Sequence, residues 1–522
     1  MSETGHHIVV IGAGMGGLAS AIRLAAGGCQ VTLVDMAKAP GGKMRTLPSA
    51  AGPVDAGPTV LTMRHQFDAL FALCGERLED HVTLRQEHVL ARHWWRDGST
   101  LDLTLDSDEN VAAIEALSGK KDARRFHAFT KRAKALFTAF EAPMMEAGQP
   151  SVARLAFAAM SRPALLPALL PGLTLSRALK REFNDPRLQQ LFGRYATYVG
   201  GIPSRTPALL QLIWHAEASG VWCVDGGLHN LATALGDLAS RQGVIQHYGV
   251  GAARLEQQGG KVAAVHLTDG RRLSCDAAVF NGDPMALKMG LLGDGPRRAV
   301  PHSGVMPRSL SARVWAFAAE AAGPDLAHHN VFFGRDPEDE FGPISRGQTP
   351  VEPTLYVCAQ DRGKDTVPDG LERFEIIENA APTDAVAEGE KDRCRTRVFS
   401  QLAEFGLTFT PTPTGETLTI PAEFHARFPA SFGSLYGRSP HGMMAALARP
   451  RARTAIRGLY LAGGGVHPGA GIAMATLSGK HAAAAIETDL ALRSTSRKMA
   501  TPGGMSTASR IAGATPSRSS PS

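Results

Sequence analysis

The stretch HHIVVIGAGMGGLASAIRLAAGGCQVTLVDM, residues 6–36, decides the fold class of this 522-residue chain. Its residues 8–11 are apolar and β-branched, which predicts a buried parallel strand, and residues 31–34 predict a second strand of the same kind. Between them, residues 18–26 predict a helix that ends at Gly27 and Gly28. A strand, a glycine turn, a helix and a strand in this order predict an α/β fold with a Rossmann-like domain.

The glycine turn has the spacing that binds a dinucleotide. Gly12 permits the tight turn, Gly14 lets a pyrophosphate approach the backbone, and Gly17 lets the helix pack against the strand. Asp35 ends the second strand, where a carboxylate would accept hydrogen bonds from ribose hydroxyls. These four residues therefore predict a nucleotide cofactor, without deciding between NAD and FAD.

Composition limits the class of protein. Hydrophobic residues make up 44% of the chain and charged residues 20%, which is typical of a protein with two or three ordinary domains. Several of the excess basic residues lie in a tail rich in Ser, Gly and Pro, residues 491–522, which we expect to be disordered. The rest of the chain is nearly neutral, so we expect no nucleic-acid partner.

Cysteine and histidine patterns give no sign of a metal site. The six cysteines are scattered without a CxxC spacing, which favours free thiols in a reducing cytoplasm. His6, His7, His328 and His329 lack a metal-ligand pattern, so we expect no metal. We also expect no signal peptide, because residues 1–7 lack an apolar h-region, and no membrane-spanning helix, because no apolar run reaches 18 residues.

A second apolar region lies in the middle of the chain. Residues 110–215 are mostly helical in pattern, but residues 161–181 contain Pro163, Pro167 and Pro171, which exclude a long regular helix. Basic residues flank this segment. The patch at 150–181 could lie on a bilayer with its cations at the headgroups, or it could pack on the protein's own core.

Two further glycine motifs suggest a cofactor longer than NAD. Gly41, Gly42 and Lys43 follow the second strand, and Asp55-Ala56-Gly57-Pro58-Thr59 comes soon after. A third motif, LYLAGGGVHPGAGIAMATLSGKHAAAAI at 459–486, lies near the end of the chain, and its glycines allow close backbone approach. Nicotinamide-binding domains do not usually carry these additional motifs.

Together these motifs resemble the FAD-dependent amine oxidase and phytoene desaturase superfamily, and the 459–486 segment resembles the carotenoid desaturase signature. The resemblance covers the chain to about residue 490. It implies FAD and an interleaved body, with FAD-binding segments 1–90, 216–290 and 440–490. The segments 91–215 and 291–439 would form an α+β substrate domain with a helical membrane-facing part. The implied cofactor-binding residues are Gly12, Gly14, Gly17, Asp35, Gly42, Lys43, Gly57, Pro58, Thr59, Gly463, Gly464, Gly471 and Ile472.

Within the superfamily, the chain looks most like the 1-hydroxycarotenoid 3,4-desaturases of purple photosynthetic bacteria. This resemblance implies hydride transfer from a polyene to flavin, with reoxidation by oxygen or a quinone. The implied substrate is a hydrophobic carotenoid, and the implied location is cytoplasmic, at the surface of the inner or photosynthetic membrane. Phytoene desaturases, carotene isomerases and carotenoid oxygenases of the same family remain alternatives.

Individual catalytic residues are less well specified. His467 could act near the flavin as a proton carrier, or its ring could cap the turn. Glu217 is a candidate buried acid or a salt-bridge partner. Tyr195, Tyr198, Trp214 and Trp222 could line an apolar tunnel or belong to the core. Two rivals are a non-enzymatic prenyl-binding protein, which would not need the glycine turns and Asp35, and an amine oxidase, for which we see no aromatic cage.

Overall fold

A computed structural model describes residues 5–363 and 368–499 of the protein, with side chains described up to residue 492. In chain order the strands are β1 (His7–Ile11), β2 (Gln30–Asp35), β3 (Thr46–Leu47), β4 (Val54–Asp55), β5 (Leu84–Gln86), β6 (Val89–Trp94), β7 (Thr100–Thr104), β8 (Trp222–Val224), β9 (Ile245–Tyr248), β10 (Ala252–Gln258), β11 (Lys261–Leu267), β12 (Arg272–Ser274), β13 (Ala277–Phe280), β14 (Ser311–Ala322), β15 (His329–Phe332), β16 (Leu355–Ala359), β17 (Glu372–Ala380), β18 (Thr408–Thr410), β19 (Leu418–Thr419) and β20 (Leu459–Leu461).

The helices alternate with these strands. They are α1 (Met15–Ala26), α2 (His65–Leu73), α3 (Ser107–Ser118), α4 (Lys120–Phe140), α5 (Val152–Met160), α6 (Leu175–Glu182), α7 (Pro186–Gly193), α8 (Leu212–Ala218), α9 (His229–Arg241), α10 (Pro284–Met289), α11 (His302–Val305), α12 (Pro337–Ser345), α13 (Glu390–Glu404), α14 (Pro421–Arg427), α15 (Ala445–Ala448) and α16 (Ile472–Met499). Short 3-10 helices cover Leu78–Asp80, Pro163–Leu169, Arg194–Val199, Ala208–Gln211, Gly295–Arg298 and Gly415–Thr417, and a π-helical turn covers Glu141–Met145.

A five-stranded parallel sheet forms the first layer, and its strand order is β20-β13-β1-β2-β9. β1 lies at its centre because Ile8, Val9 and Val10 are fully buried and pair with β2 on one side and β13 on the other. Helices α1, α9 and α16 cover one face of this sheet, and the antiparallel sheet β10-β11-β12 packs on the other. The predicted α/β fold is confirmed, and α1 begins three residues earlier than its pattern indicated.

The strands of this sheet come from three distant parts of the chain. β1 and β2 lie near the start, β9 and β13 follow residue 240, and β20 follows residue 450. The last strand pairs with β13, so Leu461 lies beside Phe280, and the loops after both strands meet at the same edge of the sheet. Two glycine turns far apart in sequence are thereby brought together.

A second, eight-stranded sheet lies in the intervening segments. Its order is β18-β14-β17-β16-β15-β6-β7, with β19 paired to β14, and its pairs are antiparallel except β15 with β6. Alternate residues point to opposite faces: Leu355 and Val357 pack with α13, while Tyr356 and Cys358 point toward the helices α3, α4, α6 and α7. A turn at Asp97 and Gly98 joins β6 and β7 into an antiparallel hairpin.

The apolar segment at 150–181 is broken as its prolines predicted. It consists of α5, a 3-10 helix and α6 up to its penultimate residue. Within the described residues no helix combines the length and the apolar character needed to cross a membrane. At the other end, α16 continues to Met499, beyond the expected start of the tail at 491, and residues 500–522 lie outside the described residues.

Candidate active site

One cavity of about 1090 Å³ runs between the two layers. The glycine turns that follow β1, β2, β4 and β20 line one end of it, and apolar side chains line most of the rest. All of the predicted cofactor residues except Gly17 contribute to the lining: Gly12, Gly14, Asp35, Gly42, Lys43, Gly57, Pro58, Thr59, Gly463, Gly464, Gly471 and Ile472.

The first turn is built from backbone alone. Gly12 has φ +104°, a conformation that side-chain-bearing residues rarely adopt, and Gly14 caps α1 without a side-chain hydrogen bond. A Cβ on Gly17 would lie 1.9 Å from the Gly12 carbonyl oxygen, so this glycine serves helix packing and not the cavity wall. With no acidic residue in its first turn, α1 leaves its positive end open toward an anion such as a pyrophosphate.

Asp35 is held in place at the end of β2. Its carboxylate accepts hydrogen bonds from the backbone N–H groups of Ala13 at 2.6 Å and Ala37 at 2.7 Å. Burial raises the pKa of this carboxyl group, and the two backbone bonds oppose that effect. The carboxylate is thus oriented along the edge of the cavity, where it could accept hydrogen bonds from ribose hydroxyls.

The second turn lies directly against the first. A Cβ on Gly16 would lie 2.5 Å from the backbone nitrogen of Gly463, and one on Gly479 would lie 2.4 Å from the carbonyl oxygen of Gly16. Gly463 has φ +107°, and its N–H donates to the hydroxyl of Ser478 at 2.7 Å. Helix α16 begins at Ile472 with no acid in its first turn, so its positive end also borders the cavity.

Asn281 lies between the two turns, and the sequence analysis did not identify it. Its Nδ2 donates to the carbonyl oxygen of Gly12 at 3.2 Å, while its Oδ1 is buried and has no hydrogen-bond partner among the described residues. A Cβ on Gly14 would lie 2.9 Å from its amide nitrogen. The signal that could have indicated it is its place directly after β13, at the carboxyl end of a parallel strand. The glycine cradle and this buried acceptor fit a bound dinucleotide.

Two cations lie deeper in the cavity. Lys43 donates to the carbonyl oxygen of Leu435, and burial lowers its pKa to about 8. Arg449, which sequence analysis also missed, donates to the carbonyl oxygens of Gly464 at 3.0 Å and Arg438 at 2.8 Å. Burial lowers its pKa to about 10. Arg449 therefore holds the second glycine turn in its conformation, and Lys43 places a positive charge beside the cavity.

The structure places His467 in the second glycine turn. It is 2% exposed and is not part of the cavity lining. Its Nε2 hydrogen-bonds to the carbonyl oxygen of Ala147 at 2.9 Å, and its ring stacks on His481 with centroids 5.7 Å apart. The ring thus contacts Ala147 and His481, and both the catalytic role of His467 and its alternative, a ring that caps the turn, stay predictions.

Of the other candidate residues from the sequence, some line the cavity and the others do not. Tyr198 and Glu217 line the cavity, and Glu217 accepts a hydrogen bond from Tyr195 at 2.6 Å. Tyr195 and Trp214 are buried in the aromatic core of the helical layer. Trp222 is partly buried and lies under the guanidinium of Arg64, outside the cavity lining.

Two of the four histidines that were expected to lack a metal lie close to a cysteine. The ligand atoms of Cys223, His328 and His329 all lie within 4.8 Å of one another, and the three residues are buried. Because the residues are distant in sequence, their spacing could not indicate this cluster. His328 Nδ1 hydrogen-bonds to the carbonyl oxygen of Arg362 at 3.1 Å, and His329 Nδ1 to the hydroxyl of Tyr356 at 2.6 Å. The absence of a metal stays a prediction.

Comparison with known proteins agrees with this geometry. Residues 15–487 match the family described as flavin containing amine oxidoreductase. The chain is 58% identical to a hydroxyneurosporene desaturase of Cereibacter sphaeroides, over 93% of this chain and 98% of that protein. It is 53% identical to one of Rhodobacter capsulatus, over 94% and 98%. An oxidoreductase from Methanosarcina mazei has the same fold, with 15% identity, a TM-score of 0.56, and coverage of 92% of this chain and 100% of that one.

The cofactor of this site is FAD. The family match is to flavin-containing oxidoreductases, and the two glycine turns, Asp35 and the partnerless Oδ1 of Asn281 supply a cradle of suitable kind. The protein is accordingly an oxidoreductase. The resemblance noted in the sequence is confirmed at the level of the family and of the desaturase relatives.

The buried position of His467 makes stability depend on pH. Burial lowers the pKa of His467 to about 4 in the folded protein, whereas an unperturbed histidine has a pKa of about 6.5. The unfolded chain therefore binds the proton first, so the free energy of unfolding decreases as the pH falls from 6.5 to 4. This one group contributes a loss of about 3 kcal/mol over that range. We expect His467→Gln, measured by urea denaturation at pH 7, 6, 5 and 4, to flatten that dependence. Parallel curves for the two proteins would show that the histidine is not buried in its neutral form.

Proposed function

We propose that this chain, which belongs to the family of flavin-containing amine oxidoreductases, introduces a C-3,4 double bond into 1-hydroxycarotenoids such as 1-hydroxyneurosporene. The relatives named hydroxyneurosporene desaturase support this assignment, because their similarity extends over almost the whole chain. The observation that carries it is the form of the cavity. One continuous, mainly apolar space joins the FAD-binding turns to the exposed apolar patch at 150–181.

The substrate part of the cavity has the properties that a polyene requires. Aliphatic and aromatic side chains from α4, α5, α8 and α15 line it, including Phe140, Leu155 and Ile213. Such a lining stabilises a long hydrocarbon by removing it from water and holds the chain in one alignment. When bound, FAD supplies the acceptor for the hydride that leaves the allylic carbon. The surrounding side chains exclude water from the reacting carbons.

The patch at 150–181 gives the cavity an opening toward a bilayer. Val152, Phe157 and Met160 on α5 are 61%, 71% and 65% exposed, and Leu166 and Leu170 follow in the same segment. Val152 and Leu155 also line the cavity, so the patch and the substrate space are continuous. We propose that the protein lies on the cytoplasmic surface of the inner or photosynthetic membrane, takes its carotenoid through this opening, and is reoxidised by oxygen or a quinone.

A substrate assay tests the proposed activity. Purified protein with FAD is incubated with liposomes that contain 1-hydroxyneurosporene, neurosporene or phytoene, under oxygen or with a quinone. The products are then separated, and their masses are measured by mass spectrometry. We expect the hydroxylated substrate to lose two hydrogens and the two hydrocarbons to react far more slowly. Efficient conversion of phytoene would instead assign the protein to the general carotene desaturases.

A liposome flotation experiment tests the membrane surface. The double variant Phe157→Asp, Met160→Asp places two charges on the patch, and we expect its liposome binding to fall at least about tenfold, because two apolar side chains no longer enter the bilayer. Val351→Asp, Val386→Asp is the matched control, since those valines are 70% and 68% exposed elsewhere on the surface. Equal binding by both double variants and the wild type would exclude the patch as the membrane contact.

A further inference from the structure

A cluster of polar residues interrupts the apolar wall of the cavity. Arg194 and Tyr198 lie on the 3-10 helix Arg194–Val199, Glu217 lies on α8, and Tyr356 lies on β16. All four line the cavity. A hydrocarbon cannot satisfy such groups, and burying them without partners is costly, so their presence in a polyene site needs a reason.

The guanidinium of Arg194 has more N–H donors than it has acceptors among the described residues. Among the described residues its guanidinium makes one hydrogen bond, from Nη1 to the hydroxyl of Tyr198 at 3.2 Å. It also lies over the rings of Tyr198 and Tyr356, in each case 5.3 Å from the ring centroid. A guanidinium carries five N–H donors, and the stacked rings fix its orientation. Donors that remain can bind an oxygen atom inside the cavity.

Glu217 provides the complementary acceptor. Its side chain is 4% exposed, and its Oε1 accepts from the hydroxyl of Tyr195 at 2.6 Å. Tyr198 lines the cavity together with Glu217. Burial raises the pKa of Glu217, and the two tyrosine hydroxyls oppose that rise. A carboxylate has about four lone-pair positions, so the bond from Tyr195 leaves it able to accept another hydrogen.

The position of the cluster also fits the reaction. Tyr356 lines the cavity together with Thr59, which belongs to the turn after β4 on the cofactor side. In a 1-hydroxycarotenoid the carbon that bears the hydroxyl is only two bonds from C-3. A receptor for this hydroxyl must therefore lie beside the reacting carbons and not at the distant end of the cavity. Arg194 meets this requirement for a position near the reacting carbons because it contacts Tyr356, which lies on the cofactor side of the cavity.

We propose that Arg194 and Glu217 form the subsite that binds the substrate's tertiary hydroxyl group, with Arg194 donating to its oxygen and Glu217 accepting its hydrogen. This inference rests on the proposed 1-hydroxycarotenoid substrate and adds the residues that select it. A substrate without the hydroxyl leaves the remaining donors of Arg194 and the remaining acceptor position of Glu217 without a partner, which is the type of site that discriminates strongly against the missing group. The subsite aligns C-3 and C-4 because the hydroxyl is so close to them.

The test compares ligand preference in three proteins. We measure the Kd of 1-hydroxyneurosporene and of neurosporene in detergent micelles, from quenching of tryptophan fluorescence by the polyene. The proteins are the wild type, Arg194→Met and Arg335→Met. Arg335 is the control because it is an exposed arginine on the substrate layer, with its side chain 72% exposed. The wild type and the control should prefer the hydroxylated ligand by about 10- to 100-fold. Arg194→Met should lose that preference, because only its Kd for the hydroxylated ligand should rise.

Further readouts separate this role from a structural one. Flavin absorbance and Tm establish that Arg194→Met is folded and holds FAD. Glu217→Gln, which keeps the shape of the side chain, is the second variant and should also lower the preference. The subsite proposal is wrong if both variants bind the two ligands more weakly by the same factor. It is also wrong if the wild type binds both ligands with the same Kd. Turnover by the wild type tests the proposed function separately: a Kd preference without product would count against the desaturation and leave the hydroxyl subsite supported.

Discussion

The contact between two backbone turns is the constraint on which the rest of the structure depends. The turn after β1 and the turn after β20 approach so closely that a Cβ on Gly16 would lie 2.5 Å from Gly463. Asn281 fills the remaining space and bonds to Gly12. This contact requires β1, β13 and β20 to be neighbours, although more than 400 residues separate the first strand from the last. The second layer is built from segments between strands of the first sheet. The end of the chain can rejoin that sheet because β20 pairs with β13 at its edge.

That return also determines where the substrate lies. Because the second layer is inserted between parts of the first, the cavity between them has FAD-binding turns at one end and the apolar lining of the inserted helices at the other. The exposed residues of α5 lie where this apolar part meets the surface. Arg194 and Glu217 provide the polar exception, close to the cofactor side. In the function we propose, one cavity combines cofactor binding, hydrocarbon binding and selection of an oxygen-bearing end.

The sequence predicted the fold and the cofactor site because both depend on local patterns. Buried strands have continuous apolar runs, and tight turns need glycines, so Gly12, Asp35 and Gly463 could be identified from their neighbours alone. Asn281 and Arg449 were missed because their roles arise from contacts with turns far away in the chain. The orientation of the His467 ring could not be predicted for a similar reason. Its motif gives its position in the turn but not the direction of its ring, which points to Ala147 and away from the cavity.

The polar cluster was not predicted as a unit. Glu217 was a candidate buried acid or salt-bridge partner and Tyr198 a candidate for the wall of an apolar tunnel, but their spacing does not indicate that they share a network with Arg194. The network depends on the packing of the 3-10 helix against α8 and β16, which only the tertiary structure supplies. The proximity of Cys223, His328 and His329 also depends on tertiary structure, because Cys223 lies on β8, whereas His329 begins β15 and His328 directly precedes it.

Hydrogen–deuterium exchange on the full chain, freed of FAD and then reloaded with it, tests the central claim most directly. If the two turns form one FAD site, FAD must slow exchange of the amides at 12–17 and at 463–472 together, with the same dependence on FAD concentration. Protection of the first turn alone would contradict the claim, because the return of the chain would then have no part in binding the cofactor.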